Sequence, residues 1–287
     1  MPTRVLLASD LHLCDMDAYG IPSEVRMQKF ADDIKSEYDK EPFSALLLLG
    51  DYSLDHWKWG TKGSWLERGV SNTKVFAEKY LSQIQSLPIE IRMIAGNHEQ
   101  YGEENWERLS GGFKRQDTFV CGDYLFLLLD TYAAQLDPTE HSDGYYSGIP
   151  DTGFICETIA SHPGKKVILC AHYLDLNIEA ENNHTDFLKM IASKQFVCAF
   201  AGHTHNSDIW TWEKYETFKE IFTGNYWKNE STPYEPMWGF REVLLFEDRI
   251  ESNYITPGAH VFRDGKPYCY PYGKQDPITI SLISDLA

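Results

Sequence analysis

Short apolar runs rich in Leu, Ile and Val recur along this chain, and several alternate with longer stretches whose apolar residues return at helical spacing. The short runs predict strands at Thr3–Ser9, Ser44–Leu49, Ile89–Ala95, Tyr124–Asp130, Lys166–Cys170 and Phe196–Ala201. The helical spacing predicts helices over Ser23–Tyr38 and Asn72–Ser86, and near Asp151–Ser161 and Thr185–Ala192. Ser23 is expected to cap the first helix, with Val25, Phe30 and Ile34 as its apolar stripe. In the second, Val75, Phe76, Tyr80, Leu81 and Ile84 share one side. Beyond residue 206 the pattern changes to successive strands: Asp208–Trp212, Glu220–Thr223, Phe240–Phe246 and Arg249–Ile255. The early alternation argues for a partly parallel sheet covered by helices, and the late strands for antiparallel additions or a second sheet. From Pro257 onward the chain is rich in Pro, Gly and Tyr and reads as an extended tail over the surface. No repeat or linker divides it.

The chemistry stands at the ends of the apolar runs. Asp10 and His12 follow the first, Gly50-Asp51 the second, and Gly96-Asn97-His98-Glu99 the third. His172 follows Val167–Cys170, and Gly202-His203-Thr204-His205 follows Phe196–Ala201. In an open α/β sheet ligands bind outside the carboxyl ends of the strands, so these residues are expected to converge in one crevice. Two Asp, one Asn and four His beside His98 make an O/N donor set without thiolate, which suits Mn, Fe, Zn or Co. Seven donors are too many for one tetrahedral ion and suit two ions sharing a bridging carboxylate. The pairs Asp10-x-His12 and His203-x-His205 aim both members at one pocket, through a tight turn or through strand alternation. The glycines before Asp51, Asn97 and His203 are expected to allow turns that other residues resist. A lone histidine at a strand end is commonly a hydrogen-bonded structural residue; five such ends in one chain are not explained that way.

Composition narrows the picture. With 43% hydrophobic and 24% charged residues the chain is an ordinary globule, neither disordered nor fibrous. Its 26 Lys+Arg against 43 Asp+Glu leave a net charge of −17, which disfavours a grip on nucleic-acid backbones. No apolar run reaches the roughly 18 residues of a membrane span, and the opening residues lack the pattern of a secretory signal. Cys14, Cys121, Cys156, Cys170, Cys198 and Cys269 form no CxxC pair. A cytoplasmic, thiol-containing protein is expected, without membrane or stable nucleic-acid partners.

The ordered set D-x-H, G-D, G-N-H-E, H and G-H-x-H, from Asp10 to His205, resembles that of the calcineurin-like metallophosphoesterase superfamily. The resemblance implies an α/β fold: a four-layer α/β/β/α sandwich of mixed sheets with helices on the outer faces. It implies a catalytic domain over residues 1–256, leaving 257–287 as an extension packed upon it. It further implies two divalent or trivalent metal ions, with Mn, Fe or Zn as the expected identities. Asp10, His12 and His205 would hold the first and Asp51 would bridge. Asn97, His172 and His203 would hold the second. His98 would stand beside them as proton donor or phosphate-binding group, with Asn97 also touching substrate. A metal-bridging hydroxide would then attack phosphorus in line.

The chain departs from the family pattern after Asp51. Where G-D-x-x-D is common, the second acid, Asp55, falls one position late, and the Arg-Gly of protein phosphatases is missing. Asp-Leu-His in place of D-x-G makes the tyrosinate–iron site of purple acid phosphatases unexpected. His56-Trp57, Tyr101 and Trp106 resemble the sphingomyelinase-like branch. The segments Asp55–Gly69 and Ala133–Pro150 would form a lid or pocket wall, with His56 and His141 as candidate substrate contacts. Asp130, ending a Leu-rich strand, reads as a structural hydrogen-bond acceptor. The expected activity is hydrolysis of a small soluble phosphomonoester or phosphodiester. The alternatives are a cyclic-nucleotide or nucleotide-linked phosphodiesterase and, of another class, a non-catalytic binding scaffold.

Overall fold

Alternation along one strand sets the layering. In β1 (Thr3–Ala8), Val5 and Leu7 project to one face and Leu6 and Ala8 to the other, and all four are fully buried. The computed structural model describes residues 2–55, 69–132, 150–174, 185–192, 195–212, 215–228, 237–263 and 266–282. β1 lies inside a six-stranded sheet with β2 (Ala45–Leu48), β3 (Glu90–Met93), β10 (Phe240–Leu245), β11 (Arg249–Arg263) and β12 (Lys266–Ser281). Its order is β12-β11-β10-β1-β2-β3. A second six-stranded sheet has the order β4-β5-β6-β7-β9-β8. These strands are β4 (Asp117–Cys121), β5 (Tyr124–Leu129), β6 (Lys166–Ala171), β7 (Phe196–Ala201), β8 (Ile209–Trp212) and β9 (Tyr215–Phe222). β1, β2 and β3 run parallel, as do β5, β6, β7 and β9; the other pairings are antiparallel. Both sheets are therefore mixed.

Three cores follow from the alternation. Val5, Leu7, Leu47 and Leu49 meet Phe126, Leu128, Ile168, Cys170 and Phe200 between the sheets. On the outer face of the first sheet, Leu6, Ala8, Leu46 and Leu48 pack on Met27, Phe30 and Ile34 of α1 (Ser23–Lys40). That core also takes in the segment α2 (Asn72–Val75), a π-helical stretch Phe76–Leu81 and α3 (Ser82–Ile84). Trp106 and Leu109 of α4 (Glu103–Ser110) complete it. On the outer face of the second sheet, Leu125, Leu127, Leu129 and Leu169 pack on α5 (Thr152–Ser161) and α6 (Thr185–Ile191). The order helix, sheet, sheet, helix is the expected sandwich.

Three local expectations need correcting, and two elements were not expected. Val25 is 56% exposed, and the buried stripe of α1 is Arg26, Met27, Phe30, Ala31 and Ile34. Ser23 does not cap α1; Pro22 takes that position, while Ser23 Oγ donates to the Cys14 carbonyl. α4 and β4 had no clear apolar period, yet each had a terminal signal. Gly111 ends α4 in the left-handed region at φ 88°, and Gly122-Asp123 forms the two-residue turn joining β4 to β5. The C-terminal residues are not a tail laid over the surface. β11 runs unbroken through residue 256, and β12 pairs with it as the edge of the first sheet. An edge strand tolerates Pro267, Pro271 and Pro277 because an outward-facing backbone has no ladder partner to lose. Among the described residues no helix is long and apolar enough to cross a membrane. Cys14, Cys170 and Cys198 are buried free thiols.

Candidate metal centre

The residues that follow β1, β2, β3, β6 and β7 converge on one site, and the chain leaves β1, β2 and β7 through left-handed turns. Asp10, His12, Asp51, His203 and His205 all have positive φ, between 49° and 70°. Asp and His enter this region more readily than most residues, and such strain concentrates at functional sites. Tight turns, not strand alternation, thus aim both i, i+2 pairs. Of the three glycines singled out, only Gly50 has a positive φ, 97°. The other two are required for space. A Cβ on Gly96 would lie 2.2 Å from Asp51 Oδ1, and one on Gly202 would lie 2.8 Å from Asp10 Oδ2.

The donor atoms gather in two groups. In one, His12 Nε2 lies 3.0 Å from His205 Nε2, and Asp10 Oδ1 lies 3.7 Å and 3.4 Å from those two nitrogens. In the other, Asn97 Oδ1 lies 2.9 Å from His172 Nε2 and 3.1 Å from His203 Nδ1. Asp51 Oδ2 stands between the groups, 3.1 Å from His172 Nε2 and 3.8 Å from His12 Nε2. His98 Nε2 lies 3.7 Å from the same oxygen, and the His98 amide donates to Asp51 Oδ1 at 3.1 Å. Asp51 is thus a carboxylate that meets His98. His203 and His205 are half-buried; the other six residues are buried.

These residues fit a pair of cations. The His12 and His205 ring nitrogens face each other at 3.0 Å, and Asp10 Oδ1 is buried with no hydrogen bond among the described residues, a concentration of donor atoms that a cation would join. The hydrogen bonds behind the site prepare the ligands. His172 Nδ1 donates to the Leu49 carbonyl at 2.8 Å and turns Nε2 inward; His12 Nδ1 meets the Ser53 carbonyl at 3.3 Å. Burial raises the Asp10 carboxyl, but His12 and His205 outweigh it and hold it well below the usual range. Burial acts likewise on Asp51, where His172 and His98 prevail and the carboxyl is again lowered. Burial lowers His172, yet the Asp51 charge overcomes this and lifts it to about 9. Burial and the charge of His172 push His203 down to about 4. Burial also holds His98 well below its ordinary value, against the pull of Asp51.

All seven expected ligands and His98 are brought together. His56 and His141 lie outside the described residues, as does most of both candidate lid segments. Asp55 serves the loop base: it accepts from Ser71 Oγ at 2.8 Å, the Asn72 amide at 2.9 Å and the Thr73 amide at 3.2 Å. Tyr101 and Trp106 are fully buried core residues. Asp130 binds Arg115 through two contacts, at 2.5 and 3.2 Å. Glu99 had no role in the sequence reading beyond its place in the motif. Its buried carboxylate accepts the amides of Asp51, Tyr52, Ser53 and Gly96 at 2.8 to 3.1 Å. Burial and the Asp51 charge raise it to about 8, against those backbone donors.

A family model described as calcineurin-like phosphoesterase matches residues 3–207, which contain every candidate ligand described above. The chain belongs to the calcineurin-like phosphoesterases. It is thereby a phosphoric ester hydrolase of the metallophosphoesterase kind. Solved structures show the same fold. A dimetal phosphatase from Danio rerio shares 14% identity at a TM-score of 0.67, covering 98% of this chain and 100% of its own. A purple acid phosphatase from yellow lupin (Lupinus luteus) seeds shares 14% at 0.56, covering 98% of this chain and 54% of its own. GAP50, the anchor in the inner membrane complex of Plasmodium, shares 13% at 0.50, covering 96% and 89%. At such identities the likeness is one of fold. No curated protein matches the sequence.

Proposed function

We propose that this phosphoesterase hydrolyses a small soluble phosphomonoester or phosphodiester with two metal ions, Mn, Fe or Zn by the character of its donors. The observation that carries the reading is Asp51 Oδ2 standing within 3.8 Å of a nitrogen from each donor group. Bound there, the ions would neutralise phosphoryl oxygens and bring the pKa of water towards neutrality. The chain's own residues do the rest. Asp10, His12 and His205 hold one side of the crevice, and Asn97, His172 and His203 the other. They fix where the phosphoryl group sits and so pre-arrange in-line attack. His98, neutral because it is buried, offers an N–H hydrogen bond to a phosphoryl oxygen or to the departing oxygen, stabilising charge there without giving up its proton.

The test is metal analysis of the purified chain, followed by a panel of aryl monoesters, bis-aryl diesters and cyclic nucleotides with each metal restored in turn. Turnover that appears with metal and disappears with chelator is expected. Two bound ions without turnover on any substrate would favour the scaffold. Failure to bind ions at all would sink the metal-dependent reading.

A further inference from the structure

We infer that Arg26 is a positioning residue for the first group of ligands, holding the turn that aims Asp10 and His12. The inference rests on the metal-dependent reading above.

Arg26 lies on the buried face of α1 and is fully buried against the loop after β1. Among the described residues no carboxylate forms an ion pair with it; Asp17 and Glu24 act on it only through space. Burial lowers its guanidinium to about 10, still charged at neutral pH. An unpaired buried charge is costly, so what it binds instead is informative.

It binds main-chain carbonyls. Nη1 donates to Leu11 O at 2.9 Å and to Tyr226 O, and Nη2 donates to His12 O at 3.1 Å. The other groups of the turn are engaged elsewhere. The Leu11 and His12 amides donate to Asp51 O at 2.8 and 3.0 Å, and the Tyr226 amide donates to Asp10 O at 3.1 Å. The left-handed residues Asp10 and His12 flank Leu11, and the carbonyls of Leu11 and His12 both meet Arg26. Left unpaired there, they would oppose the turn. A planar fork reaches both from two nitrogens, whereas a lysine donates from a single atom. The ring of Trp227 closes the other side, 4.7 Å from the guanidinium and 5.8 Å from the His12 ring. Tyr226 and Trp227 lie beyond residue 207, where the family match ends. One arginine therefore ties that segment to the first ligand turn.

Arg26→Lys and Arg26→Met variants of the full chain test this by Mn²⁺ titration of metal-free protein, followed by electron paramagnetic resonance. The original protein is expected to take up two coupled ions. The variants should bind one as tightly as before and the other about 10–100-fold more weakly, losing the spin coupling at stoichiometric metal. Unchanged affinity for both ions in both variants would overturn the inference. So would loss of cooperative melting by both in chelator, since Arg26 would then hold the fold rather than the turn. If the unaltered chain took up no Mn²⁺, the metal-dependent reading itself would fail.

Discussion

Glu99 Oε2 accepts the backbone N–H of Asp51 at 2.8 Å and that of Gly96 at 3.0 Å. Oε1 accepts from Tyr52 and Ser53 at 2.9 and 3.1 Å, so one buried carboxylate joins the loops that follow β2 and β3. Every one of these contacts is a donor facing an acceptor. Glu99→Gln replaces one acceptor oxygen with a donor and turns two of them into donor–donor encounters. The expected cost is about 1–3 kcal/mol of stability, read from urea unfolding of the metal-free protein at pH 9, above the raised Glu99 value of about 8, where the carboxyl is ionised. A midpoint equal to that of the unaltered chain would disprove this.

His172 and His203 set opposite pH dependences on the metal-free protein. His172, raised to about 9 beside Asp51, contributes stability fully present below the unfolded value of roughly 6.5 and lost as pH rises through 9. His203, lowered to about 4, binds no proton where the unfolded chain does, so stability falls as pH drops from about 6.5 towards 4. Their summed contribution is therefore greatest near pH 6.5. Metal must displace the His172 proton, so uptake at neutral pH should release about one proton, and none well above pH 9. Calorimetry in buffers of different ionisation enthalpy measures that release directly.

Gly202→Ala places a Cβ 2.5 Å from Ser9 Oγ and 2.8 Å from Asp10 Oδ2. Ser9 and Asp10 follow β1 directly and are both buried, so the carboxylate must move away from His12 and His205. The expected result is loss of one of the two metal equivalents while the fold survives, counted by elemental analysis. Retention of both ions would show that the strand end yields more than its packing implies.

His98→Ala removes an imidazole that meets Asp51 Oδ2 at 3.7 Å, without removing a member of either expected ligand group. Both metals should remain, and turnover should fall by about 10²–10⁴-fold, most steeply for substrates with poor leaving groups. Loss of metal together with activity would instead make His98 a ligand, since it also falls within one cluster with His12 and Asp51.

The hydroxyl of Tyr132 is buried beside the His172 ring, 5.9 Å between centroids, and has no hydrogen-bond partner among the described residues. An unsatisfied buried hydroxyl is unfavourable, so Tyr132→Phe should stabilise the metal-free protein by about 1 kcal/mol. Thermal unfolding in chelator decides it; a lower midpoint would mean that the hydroxyl contributes to the folded state.

What the amino-acid order determined by itself is local in character. Leu-rich runs with alternating faces specify strands, and Asp10, Asp51, Asn97, His172 and His203 follow five of those runs, so the strands and the candidate donors were legible, while the sandwich was implied by the family resemblance and not by the pattern. Strand direction carries Asp10, Asp51 and Asn97 to one end of the first sheet and His172 and His203 to one end of the second, and the packing of the two sheets brings those ends together. Other features depend on partners distant in sequence. Arg26 reads as a polar interruption of an apolar helix stripe until the turn at Leu11 and the segment at Tyr226 are brought against it. Glu99 becomes an anchor only when the amides following Asp51 close around it. Gly96 and Gly202 look like turn residues but are demanded by the approach of Asp51 and Asp10. The Pro-rich end, which alone favours no sheet, becomes an edge strand because β11 offers it a ladder. Periodicity is written residue by residue, whereas the satisfaction of a buried carbonyl, amide or charge is decided by what the fold places opposite it.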